Sequence, residues 1–229
     1  TPALLACVFT ETGALSEGAP GRETETGILS SPMATRVKNQ TIPPEVLLQA
    51  YAGGYFPMAD SRYGRIEWYT ADPRAVLPLD PFHVPRRLQR SLKKAPFTYT
   101  RDRAFREVIR RCAERETTWI NDGIIASYTA LHECGHAHSV EVWQGEELVG
   151  GLYGVHLGGA FFGESMFHLV DDASKAALVH LAGHLRERGF SLLEIQMITP
   201  LTAQFGARLV YRQEYAAMLA RALAQDCKW

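Results

Sequence analysis

From residue 41 onward the apolar and polar positions follow two periods. Spacing near 3.6 predicts helices over Pro43–Ala52 (apolar face Val46, Leu47, Ala50, Tyr51), Arg103–Glu114 (Ala104, Phe105, Val108, Ile109, Cys112), a segment from Asn121 or Asp122 to about Gly135 (Ile124, Ile125, Tyr128, Leu131), Ala173–Arg188 (Ala177, Leu181, Leu185) and Gln213–Ala224. Thr41 is the expected N-cap of the first, and Asp171 or Asp172 of the helix that begins at Ala173. Pro85 opens a further helix over Arg86–Lys94, and Thr199-Pro200 opens a short one ending at Gly206. Period-2 alternation predicts strands at Ile66–Tyr69, Ala75–Leu77, 97–100, 138–143 and 191–197. Tyr55-Phe56-Pro57-Met58 reads as an aromatic loop. Glu147–Val155 and Ala160–Phe167 read as a hairpin around the turn His156-Leu157-Gly158-Gly159. Glycines inside both of its strands mark a bulge or a close backbone approach. The order of elements predicts an α+β chain, with a small α/β unit over 41–83 and a sheet flanked by helices over 84–229. Residues 1–40, rich in Gly, Ser, Thr, Glu and Pro without a period, read as a loosely ordered arm.

Composition changes this picture little. Of 229 residues, 46% are hydrophobic and 21% charged, the make-up of a globular protein. No apolar run reaches the length of a membrane span, and the first residues lack a basic leader, so no membrane and no secretion are expected. Four separated cysteines without a Cys-x-x-Cys pair fit reduced thiols in the cytoplasm. Charge adds more. Between Arg86 and Arg111 ten Lys or Arg stand against two acids, so this segment carries +8 within a chain of net −1. Such a local excess points to a polyanion partner, with solvated helix faces as the alternative.

Three places carry candidate chemistry. In the hairpin a single acid, Glu164, sits among Phe161, Phe162, Met166 and Phe167, which suits a pocket as well as a core hairpin with one outward acid. In 191–197, alternation puts Glu194 and Gln196 on one face, which suits an acid and an amide gripping an amine as well as two polar groups on a solvated face. His132-Glu133-Cys134-Gly135-His136 has the form H-E-x-x-H. A zinc site needs both histidines on one continuous helix, and Gly135 ends the helix before His136, so no metal is expected. Neither a G-x-x-x-x-G-K-[ST] loop nor a G-x-S-x-G elbow is present.

Several motifs taken in order resemble the bacterial leucyl/phenylalanyl-tRNA–protein transferases: Leu47–Met58, Trp68–Leu77, Thr118-Trp119-Ile120, Leu131–Trp143, Gly150–Gly154, Gly163–Phe167, Ala173-Ser174-Lys175 and Gln196–Ala207. The resemblance covers about residues 45–225. It implies a catalytic domain of the GNAT-type acetyltransferase-like fold, a mixed, largely antiparallel sheet flanked by helices. It also implies transfer of Leu or Phe, less readily Met, from aminoacyl-tRNA to acceptor proteins or peptides with N-terminal Arg or Lys, as an N-end rule degradation tag. No cofactor is implied. Gln196 and Glu194 are the implied catalytic pair. Glu164, Ser165, Leu152, Phe162, Leu181 and Leu185 would take the aminoacyl group. Tyr51, Met58, Trp119 and Tyr128 would lie near the terminal adenosine, and Arg86, Arg90, Lys93 and Lys94 would bind the tRNA acceptor stem.

This chain departs from the family pattern in carrying Glu194 where Asp is common, Met58 where some members have Trp, and Leu181 and Leu185 where aromatics occur. Two other readings compete: a coenzyme-A-dependent N-acetyltransferase and a non-catalytic RNA-binding module. The first needs a pyrophosphate cradle at a helix start, where this chain has Asp171-Asp172. The second leaves the acid in the hairpin unexplained.

Overall fold

The structure, a computed structural model, describes residues 41–229 together with the backbone of Ile28–Ser30. Apart from that strand, the arm read over 1–40 lies outside the described residues. Strand β1 (Ile28–Ser30), helix α1 (Pro44–Ala52), and strands β2 (Phe56–Ala59), β3 (Ile66–Ala71) and β4 (Arg74–Leu77) come first. Helix α2 (Arg86–Leu92), strand β5 (Phe97–Arg101), and helices α3 (Phe105–Ala113) and α4 (Asp122–Glu133) follow. Next come strands β6 (Ala137–Gln144), β7 (Glu147–Leu157) and β8 (Ala160–His168), helix α5 (Ala173–Glu187) and strand β9 (Leu192–Glu194). Helix α6 (Pro200–Ala203), strand β10 (Arg208–Val210) and helix α7 (Arg212–Leu223) close the chain.

Two sheets organise these elements. The smaller has the order β1-β3-β2, and the larger runs β10-β4-β9-β8-β7-β6-β5. Every neighbouring pair is antiparallel except β8 and β9. That parallel step follows from the connection: α5 crosses over between β8 and β9, as a parallel pair requires. The chain is thus the mixed, largely antiparallel sheet flanked by helices that the sequence predicts. No helix among the described residues is long and apolar enough to cross a membrane.

Apolar layers cover both faces of the large sheet. One joins Leu47 and Tyr51 of α1, Phe105, Val108 and Ile109 of α3, Ile124, Tyr128 and Leu131 of α4, and Tyr215 and Leu219 of α7 to Tyr153, Val155 and Phe162. The other joins Leu88 of α2 and Leu178, Leu181 and Leu185 of α5 to Val140, Leu152, Phe161 and Leu193. Helix periodicity predicts these faces correctly because each helix buries a stripe fixed by its own sequence. Asn121, whose side chain accepts from the Ile124 N–H at 2.9 Å, caps α4 as expected. Thr41 does not cap α1: Pro43 holds the N-cap position without a side-chain hydrogen bond.

Short strands differ more from expectation. The aromatic loop at Tyr55–Met58 is largely β2, paired with β3 in the register Phe56↔Tyr69. β4 pairs with β10 and β9, inside the large sheet rather than the N-terminal one. β10 is not predicted, since two of its three residues are exposed and no alternation marks it. The strand expected over 191–197 stops at Glu194.

Candidate active site

The hairpin β7–β8 contains the first building step. Tyr153 pairs with Ser165 and Gly154 with Gly163, so Glu164 is an extra residue on β8, a β-bulge. Gly154 permits it: a Cβ there would lie 2.3 Å from the Phe162 carbonyl oxygen and 2.4 Å from the Phe161 ring. Alanine at this position is expected to cost about 1–3 kcal/mol in overpacking. Gly150 allows the start of α5 to settle on β7, since its Cβ would meet that of Ala173 at 2.6 Å. The bulge brings Glu164 to the wall of a cavity.

Two tyrosines hold the Glu164 carboxylate from behind. Tyr51 Oη donates to Oε1 at 2.6 Å, and the Tyr128 hydroxyl, with one proton to give, lies within bonding distance of both Tyr51 Oη and Oε2, the latter at 3.3 Å. Burial pushes the Glu164 carboxyl up to about 8. The Tyr51 hydrogen bond opposes the rise and the nearby Glu194 carboxylate adds to it. Burial, with Glu164 adding to it, raises both phenols well above their ordinary value, so they stay protonated donors.

Gln196 reaches Glu164 from the opposite side, its Nε2 lying 3.5 Å from Glu164 Oε1 and 3.5 Å from Glu194 Oε2. Strand alternation predicts the pairing of Glu194 and Gln196 for the wrong reason. Past the end of β9, Gln196 takes a left-handed conformation at φ +55°, where a non-glycine residue stores about 1–3 kcal/mol of strain. Its backbone N–H donates to Glu194 Oε1 at 2.6 Å, which fixes the turn. Glu194 is 1% exposed and does not line the cavity. It pairs instead with buried Arg74, Nη1 to Oε1 at 3.2 Å. Burial raises the Glu194 carboxyl, and the Arg74 guanidinium works against that rise. Removing one partner of such a pair typically costs about 3–5 kcal/mol.

The cavity has a volume of about 360 Å³. Of the residues expected around an aminoacyl group, Glu164, Ser165, Leu152 and Leu181 line it. Phe162 does not; it is fully buried with its ring 4.9 Å from that of Tyr51. Leu185, one turn beyond Leu181, is likewise buried out of reach. Met58 and Trp119 line the rim, whereas Tyr51 and Tyr128 sit behind Glu164. Arg86, Arg90, Lys93 and Lys94 are exposed on and just after α2, outside the cavity. Sequence reading misses Phe56, Arg115, Leu178, Ile195 and Leu201 in the wall, whereas Met166, expected beside Glu164, lines it. Leu178 carries a signal, being three residues before Leu181 on one helix face. Arg115, the one cation in the lining, carries none; it donates to the Met166 carbonyl and to Ser165 Oγ.

The H-E-x-x-H histidines lie apart from this cavity, neither being in its lining. His132 Nδ1 is 2.7 Å from the Ala137 carbonyl, and His136 follows the left-handed Gly135. His132, His138 and Asp102 offer atoms within 4.8 Å of one another. The Nδ1 atoms of both histidines are already engaged, His138 with Asp102 at 2.8 Å and His132 with the backbone.

The arrangement has the parts for acyl transfer to an amine: an apolar cavity, one acid to hold a cationic group, and a positioned amide. Comparison with known proteins agrees. The model of the family "Leucyl/phenylalanyl-tRNA protein transferase" matches residues 76–220, and that of its N-terminal domain matches 40–72. A leucyl/phenylalanyl-tRNA–protein transferase of Salinibacter ruber is 52% identical over 188 residues, which is 82% of this chain and 83% of that protein. The one from Gloeobacter violaceus is 51% identical over 189 residues, 82% of this chain and 98% of that protein.

Proposed function

The chain belongs to the leucyl/phenylalanyl-tRNA–protein transferase family and is an aminoacyltransferase acting from tRNA onto protein; from that premise we propose that it moves Leu or Phe, less readily Met, onto N-terminal Arg or Lys of cytoplasmic acceptors. The observation that carries the site assignment is the convergence of Glu164 and Gln196 at one cavity, 3.5 Å apart, beside an apolar floor.

In this reading the Leu or Phe side chain occupies the floor formed by Leu152, Leu178 and Leu181. Glu164 accepts from the α-amino group of the aminoacyl moiety. Tyr51 and Tyr128 act through Glu164, as donors that hold its carboxylate. Trp119, Met58 and Phe56 offer the terminal adenine a stacking surface. The ester is already activated, and with an α-amino pKa near 8 roughly a tenth of the acceptor is neutral at pH 7. A strong base is therefore unnecessary, since holding amine and ester together supplies up to about 7–11 kcal/mol of the barrier. Gln196 positions the incoming amine. Both carboxylate oxygens of Glu194 face donors already, Oε1 two of them, which favours the tRNA ribose hydroxyl as proton acceptor and Glu194 as support. Exposed Arg86, Arg90, Lys93 and Lys94 meet the acceptor stem. The division into units is part of this proposal, and the pairing of β4 within the large sheet favours drawing it near residue 73.

Transfer of labelled Phe from pre-charged tRNA to an Arg-initiated peptide tests the reading, with acetyl-CoA as control donor. Wild-type protein is expected to transfer Phe, and Gln196→Ala to lose at least about tenfold in rate. Acetyl transfer alone, or an unimpaired Gln196→Ala, would overturn it.

A further inference from the structure

Arg74 is the one buried Lys or Arg among the described residues. Its side chain is 3% exposed, and the guanidinium lies between the rings of Phe56, 5.2 Å from the centroid, and Tyr215, 4.7 Å away. The fork is divided. Nη1 donates to Glu194 Oε1 at 3.2 Å, while Nη2 donates to the Gly54 carbonyl and to Thr70 Oγ1. Nε has no hydrogen-bond partner among the described residues. Gly54 and Thr70 belong to the N-terminal segment that also carries Phe56 in the cavity wall and Met58 on its rim. On the other side, the carboxylate oxygen that Arg74 grips is the one that receives the Gln196 N–H. The backbone of Gln196 is also pinned by its carbonyl, which accepts from the N–H of Ala75, the residue next to Arg74, at 3.1 Å.

We propose that Arg74 is a positioning residue for aminoacyl transfer: through Glu194 it holds Gln196 in the left-handed turn that aims its amide at the cavity, and through Gly54 and Thr70 it ties that aim to the rim that receives the donor's adenosine. The inference rests on the transfer activity proposed above. It also gives the buried pair a purpose, since such a pair adds little net stability over apolar residues of the same volume.

Arginine suits the task because a planar fork reaches an acid and two neutral oxygens in fixed directions, whereas lysine supplies a point charge. Glu194 faces Arg74 on β4, Glu164 on β8 and Tyr215 on α7, besides the N–H of Gln196. With the guanidinium gone, burial favours a protonated Glu194, opposed only by the Gln196 N–H. A neutral carboxyl is a weaker acceptor for the Gln196 N–H.

The test measures Phe transfer from pre-charged tRNA to an Arg-initiated peptide by wild type, Arg74→Lys, Arg74→Met and the double variant Arg74→Met/Glu194→Gln, between pH 6.5 and 9. Arg74→Met is expected to lose about 100-fold in kcat at pH 7, with donor KM changed less than about threefold. Taken as a ratio to wild type, which cancels titration of the acceptor amine, its activity should climb with pH as Glu194 ionises. Arg74→Lys should recover part of kcat and flatten that ratio. In the double variant the introduced side-chain amide accepts the Gln196 N–H without a charge. That variant should lose the pH limb and exceed Arg74→Met at pH 7 by about tenfold. If Arg74→Met does not fold, as melting by circular dichroism would show, Arg74→Lys and the double variant decide. A wild-type kcat in Arg74→Met or in Arg74→Lys, a loss confined to donor KM, or a double variant with the activity and pH profile of Arg74→Met would each overturn the inference. Failure of the wild type to transfer Phe at all would instead overturn the function itself.

Discussion

Glu164 holds its proton to about pH 8 because burial penalises the carboxylate more than two tyrosine hydroxyls relieve it. In an unfolded chain it would lose that proton near about 4.3. The folded state thus binds an extra proton between these limits. Its contribution to stability is complete below the lower value and is lost as pH rises through about 8. Glu164→Gln lacks this titration, so its melting temperature relative to wild type should rise from pH 5 to pH 9. A difference that stays constant across that range would contradict the assignment. The same variant should bind the donor more weakly, because a carboxyl is able to ionise against the incoming α-ammonium group and an amide is not. A lone acid in an apolar stretch makes Glu164 legible in the sequence. Its partners are not: Tyr51 is 113 residues away and Tyr128 is 36, and no local pattern joins them. Motif order alone assigns both tyrosines to the adenosine side for that reason, although they face the carboxylate from within the core.

Elements differ in legibility according to where their stability comes from. α3, α4 and α5 are readable because each buries a periodic stripe of its own. β2 and β10 are four and three residues long, and what defines them is the partner strand, which sequence spacing does not reveal; β4 and β9 are as short, but the predicted strands at Ala75–Leu77 and 191–197 mark them. The basic helix α2 shows the same split. Leu88 anchors it, and Ser91 Oγ donates to Asp172 Oδ2 at 2.8 Å, at the start of α5, leaving Arg86, Arg87, Arg90, Lys93 and Lys94 exposed. That Asp172 is turned to Ser91 and Lys175, and makes no cap for its own helix. Replacing Arg90, Lys93 and Lys94 by alanine should make the salt dependence of donor KM shallower, by about 0.7–0.9 in log–log slope for each phosphate no longer neutralised. Transfer from aminoacyl-adenosine, which has no phosphates, should be unaffected. An unchanged slope with tRNA would remove α2 from the interface.

At the scale of the molecule, the two sheets are not independent bodies. Leu47, Tyr51 and Phe56 belong to the same apolar layer as Phe105, Ile124 and Tyr153, and Arg74 bonds to both parts. The protein should therefore unfold in one transition, with tryptophan fluorescence and far-ultraviolet circular dichroism sharing a midpoint. Removing residues 1–72 should leave a chain that does not fold, because that layer would lose its α1 side. Two separate transitions would argue otherwise. The bulge at Glu164 bears on the whole sheet as well. Before it, Phe162 faces one apolar layer and Phe161 the other; after it, Phe167 faces the first and Met166 the second, so even and odd positions exchange sides. Excising Glu164 alone would bring the strand back into unbroken phase with both layers. The shortened protein should keep a cooperative melt and lose transfer. A relative with a single-residue gap at this position would then retain the fold without the chemistry, however closely the rest of its sequence agreed.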